Sequence, residues 1–341
     1  MSQEKMGPFL STLREIGELY KFDQEGYIAP LKEDSEAFEL RPYRGVDSVK
    51  HLLFPPVKEV ARYPGKKEEL PEPPKRVIID AKACDVEALA VFKKIYLDDP
   101  DFVDPFIKKV FDSLFIVAAD CTDCLSTCFC NLVGYKPYPQ SGFDLSLAKV
   151  EDGYLVTVGS SKGEDFLKRY SLPEAPKDKI EAVENARKQL FDKVDKQNEE
   201  YKTENEYYSI VKNLYYGEGW THAASCVSCG ACTNVCPTCY CFGLADYAVG
   251  EKEFSRIMNW DSCQFAGFSR MAGALNPRST HKQHFQHRFN HKFHHFKERN
   301  DFYACTGCGR CTEACLGKID IREVLKRVET ESKNAKVEGE E

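Results

Sequence analysis

The sequence predicts an α+β protein in which an N-terminal α/β domain precedes a mainly helical, cysteine-rich domain. Three observations carry this. Arg76-Val77-Ile78-Ile79-Asp80 and Leu114-Phe115-Ile116-Val117-Ala118-Ala119 are apolar runs of strand length, with a helical stretch from Cys84 to about Tyr96 between them. Strand, helix and strand in that order make a βαβ signal, which favours parallel pairing. One cysteine pattern is written twice, as Cys226-x2-Cys229-x2-Cys232-x3-Cys236 and Cys305-x2-Cys308-x2-Cys311-x3-Cys315. The long segment between the two runs carries Phe265, Phe268, Met271 and Leu275 at helical spacing.

Phe9, Leu10, Leu13, Ile16, Leu19 and Tyr20 repeat at helical spacing and predict an opening amphipathic helix. Residues 36–63 are mixed, with a break at Phe54-Pro55-Pro56, and 64–75 read as a surface linker rich in proline and charge. The two buried strands end at Asp80 and near Cys121, so cysteines at both strand exits face one edge of the sheet. Strands near 144–150 and 153–159 flank Glu151-Asp152-Gly153 as a hairpin. Residues 1–175 therefore read as one domain. Residues 176–216 read as a charged helical connector, 217–331 as the cysteine-rich domain and 332–341 as a polar tail. Ile319, Ile321, Val324, Leu325 and Val328 mark a helix directly after Cys315.

The chain has 341 residues, enough for about two domains, and a net charge of −7 that argues against nucleic acid as the main partner. Met1 to Tyr20 is amphipathic and charged, unlike a secretory leader, and no apolar run approaches the roughly 20 residues of a membrane span. A cytoplasmic chain is expected. Its sixteen cysteines then read as metal-bound thiols rather than disulfides, and that thiol load suits an anaerobic or microaerobic cell.

The repeated pattern is the bacterial ferredoxin ligand run for [4Fe–4S] clusters. In two-cluster ferredoxins each run gives three ligands to one cluster and its fourth cysteine to the other. Cys226, Cys229, Cys232 and Cys315 are expected on cluster 1, and Cys305, Cys308, Cys311 and Cys236 on cluster 2. Pro237 follows the first run as the pattern expects, whereas Leu316 follows the second. The rival for four thiolates is zinc, whose usual spacing is two Cys-x2-Cys pairs separated by a loop. Cys84, Cys121, Cys124, Cys128 and Cys130 lie in the N-terminal domain, and four of them suffice for a third cluster. Cys84, Cys121, Cys128 and Cys130 are the favoured set, with Cys124 spare; buried free thiols packing as small apolar groups are the alternative. Cys239, Cys241 and Cys263 are too few for a closed site and are expected to tune cluster potential. The histidines at 281, 284, 287, 291, 294 and 295 follow roughly one helical face among Arg278, Lys282, Arg288, Lys292, Lys297 and Arg299. That face reads as positive charge offsetting the clusters or docking an acidic partner, with a metal site as the other reading. No G-x-G-x-x-G after a strand, no phosphate-loop motif and no H-E-x-x-H is present.

Taken in order, a series of segments resembles one family. They are Leu53-Phe54-Pro55-Pro56, Ala83-Cys84-Asp85-Val86-Glu87-Ala88-Leu89, Cys128-Phe129-Cys130, Cys229 to Phe242 with its Cys-Pro-Thr-Cys-Tyr-Cys, Trp260-Asp261-Ser262-Cys263, Ala272-Gly273 with Asn276-Pro277-Arg278, His291-Lys292-Phe293 and Cys305 to Cys311. The chain resembles the iron–sulfur subunit shared by cytoplasmic sulfhydrogenases, as the beta subunit, and anaerobic sulfite reductases, as the A subunit. Departures are Leu316 for proline, Ala81-Lys82-Ala83 before Cys84 where the family usually has Gly-Val-Arg-Pro, and the histidine content of 281–295. The resemblance implies a subunit without its own substrate site. It would relay electrons between a flavin- and NAD(P)H-binding subunit and a catalytic subunit, such as a NiFe hydrogenase or a sirohaem sulfite reductase. The competing expectation is that the chain itself reduces sulfite or polysulfide at an N-terminal cluster.

Overall fold

The computed structural model describes residues 1–32, 38–65, 72–213 and 220–337. The chain divides into two units. The first comprises Met1–Phe54, Leu70–Gln197 and Thr306–Cys308; the second comprises Pro55–Glu69, Asn198–Cys305 and Gly309–Glu341. The strands in chain order are β1 (Glu18–Phe22), β2 (Ile28–Pro30), β3 (Val57–Tyr63), β4 (Arg76–Ala81), β5 (Leu114–Ala119), β6 (Leu145–Val150), β7 (Gly153–Val158), β8 (Phe242–Ala248) and β9 (Phe254–Trp260).

The first unit is built on a six-stranded sheet in the order β2-β1-β4-β5-β6-β7. The steps from β1 to β4, β5 and β6 are parallel, and the outer pairs β1–β2 and β6–β7 are antiparallel. β5 is apolar throughout and β4 apolar except for Arg76 and Asp80, because both faces are covered, as parallel strands require. Val77, Ile79, Phe115 and Val117 join Phe9, Leu13 and Phe166 on one face. Ile78, Ile116 and Ala118 join Val86, Leu89 and Val110 on the other. Each large side chain so buried contributes roughly 1.5–3 kcal/mol. The helix Ala83–Tyr96 forms the expected crossover between β4 and β5.

The opening helix is shorter than its periodicity predicts. It spans Met6–Arg14, and Leu19 and Tyr20 belong to β1. A Cβ on Gly17 would lie 2.4 Å from the Lys75 carbonyl oxygen, so the absence of a side chain there lets β1 run alongside β4. The expected connector contains the helix Lys177–Gln197, which buries Val183, Leu190 and Val194 and folds with the first unit. Leu190 and Val194 pack with Cys130. Its solvent face is charged, and that charge masks a sparse apolar stripe. Of the expected linker 64–75, residues 66–71 lie outside the described residues.

The second unit carries helices and also a three-stranded antiparallel sheet, β3-β9-β8, that the apolar pattern did not announce. Both edge strands are largely exposed, so they lack the alternation that marks a half-buried strand. The helical pattern expected at Phe265, Phe268, Met271 and Leu275 is not realised; these residues lie in turns and beside a three-residue 3₁₀ segment. Helical structure instead runs from His281 to Asn300, opened by a Thr280–Gln283 capping box and widened to a π-helix over Asn290–His295. The last helix, Ile321–Val337, extends into the expected polar tail. Among the described residues no helix is long and apolar enough to cross a membrane.

Candidate iron–sulfur centres

The two cysteine runs fold as a structural repeat. In the first, Ser228 and Gly230 take positive φ on either side of Cys229, at 52° and 75°. In the second, Gly307 and Gly309 do the same around Cys308, at 64° and 73°. Gly230 and Gly309 each cap a four-residue helix, Ala231–Asn234 and Arg310–Glu313, that carries the third cysteine of its run. Alternating αR and αL backbone turns successive N–H groups to one side and makes an anion-binding concavity. Ser228 adopts this conformation without glycine's freedom, at a cost of order 1–3 kcal/mol.

In the second unit, the Cys226 thiol lies within electrostatic reach of Cys315 and Cys229, and Cys232 within reach of Cys226 and Cys311. Each expected member of cluster 1 thus has another within electrostatic reach, and Cys232 also reaches Cys311, which the ferredoxin pattern gives to cluster 2. Burial pushes the Cys232 thiol up to about 12. A bound metal reverses that tendency, because a coordinating thiol is deprotonated outright.

Three of the residues expected for cluster 2, Cys236, Cys305 and Cys311, stand around two buried cations on the helical stretch after His281. Lys292 Nζ donates to Cys236 Sγ at 3.3 Å, to Thr238 Oγ1 at 2.8 Å and to the Ala304 carbonyl at 2.8 Å. Burial opposes its charge, but Cys236, Cys239 and Cys305 outweigh burial and hold its pKa above the ordinary lysine value. Arg288 is buried too. Burial again opposes the charge, while Cys232, Cys311, Cys239 and Cys236 hold the guanidinium charged, and its Nε has no hydrogen-bond partner. An orphaned buried guanidinium nitrogen amid thiols fits an anionic group placed there. The Cys236 thiol is lowered, first by a hydrogen bond from Cys239 and then, against its burial, by Lys292 and Arg288.

These two cations, four residues apart, were hidden among the histidines in the sequence. The basic face reads there as an unbroken line of charge, yet its cysteine-facing members are Arg288 and Lys292. Burial drives His287 down to about 4 and His291 to about 3, so both are neutral near pH 7. His291 Nε2 is hydrogen-bonded to Tyr240 Oη at 2.9 Å, and His284 Nδ1 to the Cys263 carbonyl at 3.2 Å. His287 and His291, neutral near pH 7, leave the positive charge of this stretch to its arginines and lysines. Cys241 and Cys263 share a hydrogen bond that lowers Cys263 to about 6 against its burial.

In the first unit, Cys84, Cys121, Cys128 and Cys130 line one pocket, together with Cys124, Cys308 and Gly307. The fold places them there. Cys84 stands in the first turn after β4, and Cys121 follows β5, so both leave the same end of parallel strands. Cys124 Sγ donates to Gln197 Oε1 at 3.4 Å, and Gln197 Nε2 donates to the Leu125 and Cys128 carbonyls at 3.1 and 2.8 Å. Burial raises Cys128 to about 11, Cys130 to about 12 and Cys121 further still. Cations stand here as well. Buried Lys82 pairs with Asp80 at 2.6 Å, donates to the Asp120 carbonyl at 3.0 Å and acts on the Cys121 thiol. Arg44 acts on Cys128. The Lys82 of the departing Ala81-Lys82-Ala83 segment thus supplies a positive charge beside the pocket.

Among the described residues no three His, Cys, Asp or Glu side chains converge on a single metal ion. A [4Fe–4S] cube takes one thiolate at each of four irons and so spreads its ligands wider. The donor set fits such groups: cysteines only, with buried cations beside them.

Residues 225–319 match the family model described as a 4Fe-4S dicluster domain. The chain is similar to Sulfhydrogenase 2 subunit beta of Pyrococcus furiosus, with 28% identity over 96% of this chain and 97% of that protein. No solved structure matches. The resemblance drawn from the motifs to an iron–sulfur beta subunit is borne out by these two likenesses.

Proposed function

We propose that the chain is the electron-transfer subunit of a multi-subunit oxidoreductase, relaying electrons between a flavin- and NAD(P)H-binding subunit and a catalytic subunit. Cys226, Cys229, Cys232 and Cys315 hold one cluster, and Cys305, Cys308, Cys311 and Cys236 hold the second. Cys84, Cys121, Cys128 and Cys130 hold a third. Bound there, the clusters supply one-electron transfer and nothing else. The protein's part is to fix the ligands, exclude water and set the charge around them. Lys292 and Arg288 stabilise the added negative charge of a reduced centre, and Lys82 and Arg44 do so at the N-terminal pocket.

The observation that carries this reading is the pair of buried cations enclosed by thiols. A charge buried without a counter-charge costs several kcal/mol, so Arg288 and Lys292 are best explained by anionic centres between those cysteines. The sulfhydrogenase likeness supports the subunit role, and the presence of partners follows from it.

A turnover assay separates relay from catalysis. The isolated chain is mixed anaerobically with an excess of reduced dye and sulfite or polysulfide, and a second sample, reduced without sulfur substrate, is then mixed with an oxidised redox dye. Relay predicts bleaching of the cluster absorbance on reduction, no consumption of sulfur substrate and rapid return of colour with the dye. Sustained consumption of sulfite or polysulfide by the chain alone contradicts the proposal and makes the N-terminal pocket a catalytic site.

A further inference from the structure

We infer that Gln197 is a positioning residue that selects the ligands of the N-terminal centre, holding Cys124 out of the set and Cys128 in it. This rests on the proposed function, in which four thiols of that pocket bind a cluster, and it concerns the first unit alone.

A [4Fe–4S] cube takes four thiolates, and five thiols of the N-terminal domain line the pocket: Cys84, Cys121, Cys124, Cys128 and Cys130. One of them must stand aside. The helix Lys177–Gln197 runs along the segment that carries the last four. Arg187, Leu190, Val194 and Gln197 recur every three or four residues and so share one face of that helix. Arg187 donates to both carboxylate oxygens of Asp120, at 2.7 and 3.2 Å, directly before Cys121. Leu190 and Val194 pack with Cys130, and Cys121 and Cys124 lie against the same group. Asn131 Nδ2, directly after Cys130, donates to Asp195 Oδ1 at 3.0 Å. Both ends of the thiol-bearing segment are thus tied to the helix, and Gln197 reaches its middle.

The surroundings of the Gln197 amide fix its orientation. Nε2 donates to the carbonyls of Leu125 and Cys128, at 3.1 and 2.8 Å. Carbonyls only accept, so the amide nitrogen must face them, and Oε1 is left facing Cys124 Sγ at 3.4 Å. An amide oxygen likewise only accepts. It therefore pairs with a protonated thiol and repels a thiolate, whereas a coordinating thiol is deprotonated. Gln197 thus disfavours Cys124 as a ligand. Its two donations also hold the turn that leads into Cys128, in which Cys128 N–H donates to the Leu125 carbonyl at 2.9 Å. Methionine at this position would keep the length of the side chain and lose both the donor and the amide oxygen.

The test uses the full chain with its clusters assembled, treated anaerobically with iodoacetamide and read by iron content and by mass-spectrometric mapping of the alkylated cysteines. In the unaltered chain about twelve irons are expected. The half-buried Cys124 is then alkylated, while Cys84, Cys121, Cys128 and Cys130 are protected. Cys128→Ala should fall to about eight irons, because Gln197 still holds Cys124 aside. Adding Gln197→Met to Cys128→Ala frees Cys124 to take the vacant place, so the iron returns towards about twelve and Cys124 becomes protected. Protection of Cys124 in the unaltered chain at about twelve irons overturns the inference alone, and so does about twelve irons in Cys128→Ala or a double variant with no more iron than Cys128→Ala. The first of these outcomes is read on the unaltered chain and decides the matter if a variant does not fold. About eight irons in the unaltered chain removes the third centre and overturns that part of the proposed function and the inference together.

Discussion

Lys292 and Arg288 show how single residues set the chemistry of this protein. Both are buried, both are held charged by thiols, and they stand one helical turn apart. A cation beside a cluster favours the reduced, more negative state. Lys292→Met is therefore expected to retain iron and to lower the potential of the centre at Cys236. The shift should be on the order of 60 mV, which is tenfold in a one-electron equilibrium; an EPR-monitored redox titration measures it. An unchanged potential with full iron content would mean that Lys292 serves packing alone. Which cysteine types and spacings matter was legible in the chain, because the ligand run is local in sequence. Which positive residues face them was not. Helical phase across 281–300 is altered by the π-helix at Asn290–His295, and a regular 3.6-residue wheel misplaces the side chains beyond it.

Among the elements, β4 and β5 were legible because burial on both faces makes them largely apolar. The strands β3, β8 and β9 were not, because exposed faces carry no alternation. Phe9 packs the short opening helix against the helix Ser161–Arg169 through an edge-on contact with Phe166 at 5.3 Å between ring centroids. Phe9→Ala is expected to cost about 3–5 kcal/mol in chemical denaturation and to leave the iron content of the folded protein unchanged. The histidine-bearing helix has a pH signature of its own. Burial depresses His287 from 6.5 to about 4, so the unfolded chain binds more protons than the folded chain between those values. Stability contributed by the neutral ring is thus full above pH 6.5 and is lost as pH falls towards 4. His287→Phe should flatten the stability curve across that window in urea titrations at stepped pH. A curve as steep as before would assign the acid sensitivity to other groups.

At the scale of the whole molecule, two units of different character share one chain. The N-terminal unit packs apolar side chains on both faces of its sheet, apart from its thiol pocket, and its fold is expected to persist without metal. The second unit sets its cysteines and buried cations beside apolar side chains such as Trp220, Phe289, Phe293, Val324 and Leu325, and the segments that carry the thiols are expected to depend for their order on the groups those thiols bind. Chelating the iron from oxidised protein is expected to abolish hydrogen-exchange protection around 226–236 and 305–315 while β4 and β5 stay protected. Equal loss in both regions would show that the first unit also depends on its pocket being filled. The division itself was only partly readable. Residues 57–63 pair with β9 and Thr306–Cys308 folds with the first unit, and long-range exchanges of this kind leave no local trace in composition or periodicity.

The central claim is that these cysteines hold clusters that carry electrons, and iron with acid-labile sulfide per anaerobically prepared chain tests it most directly. About twelve of each is the predicted result, with about eight meaning that only the two ferredoxin-type centres assemble. Iron well below eight, or bound zinc without sulfide, would contradict the account and leave a metal-stabilised scaffold in its place.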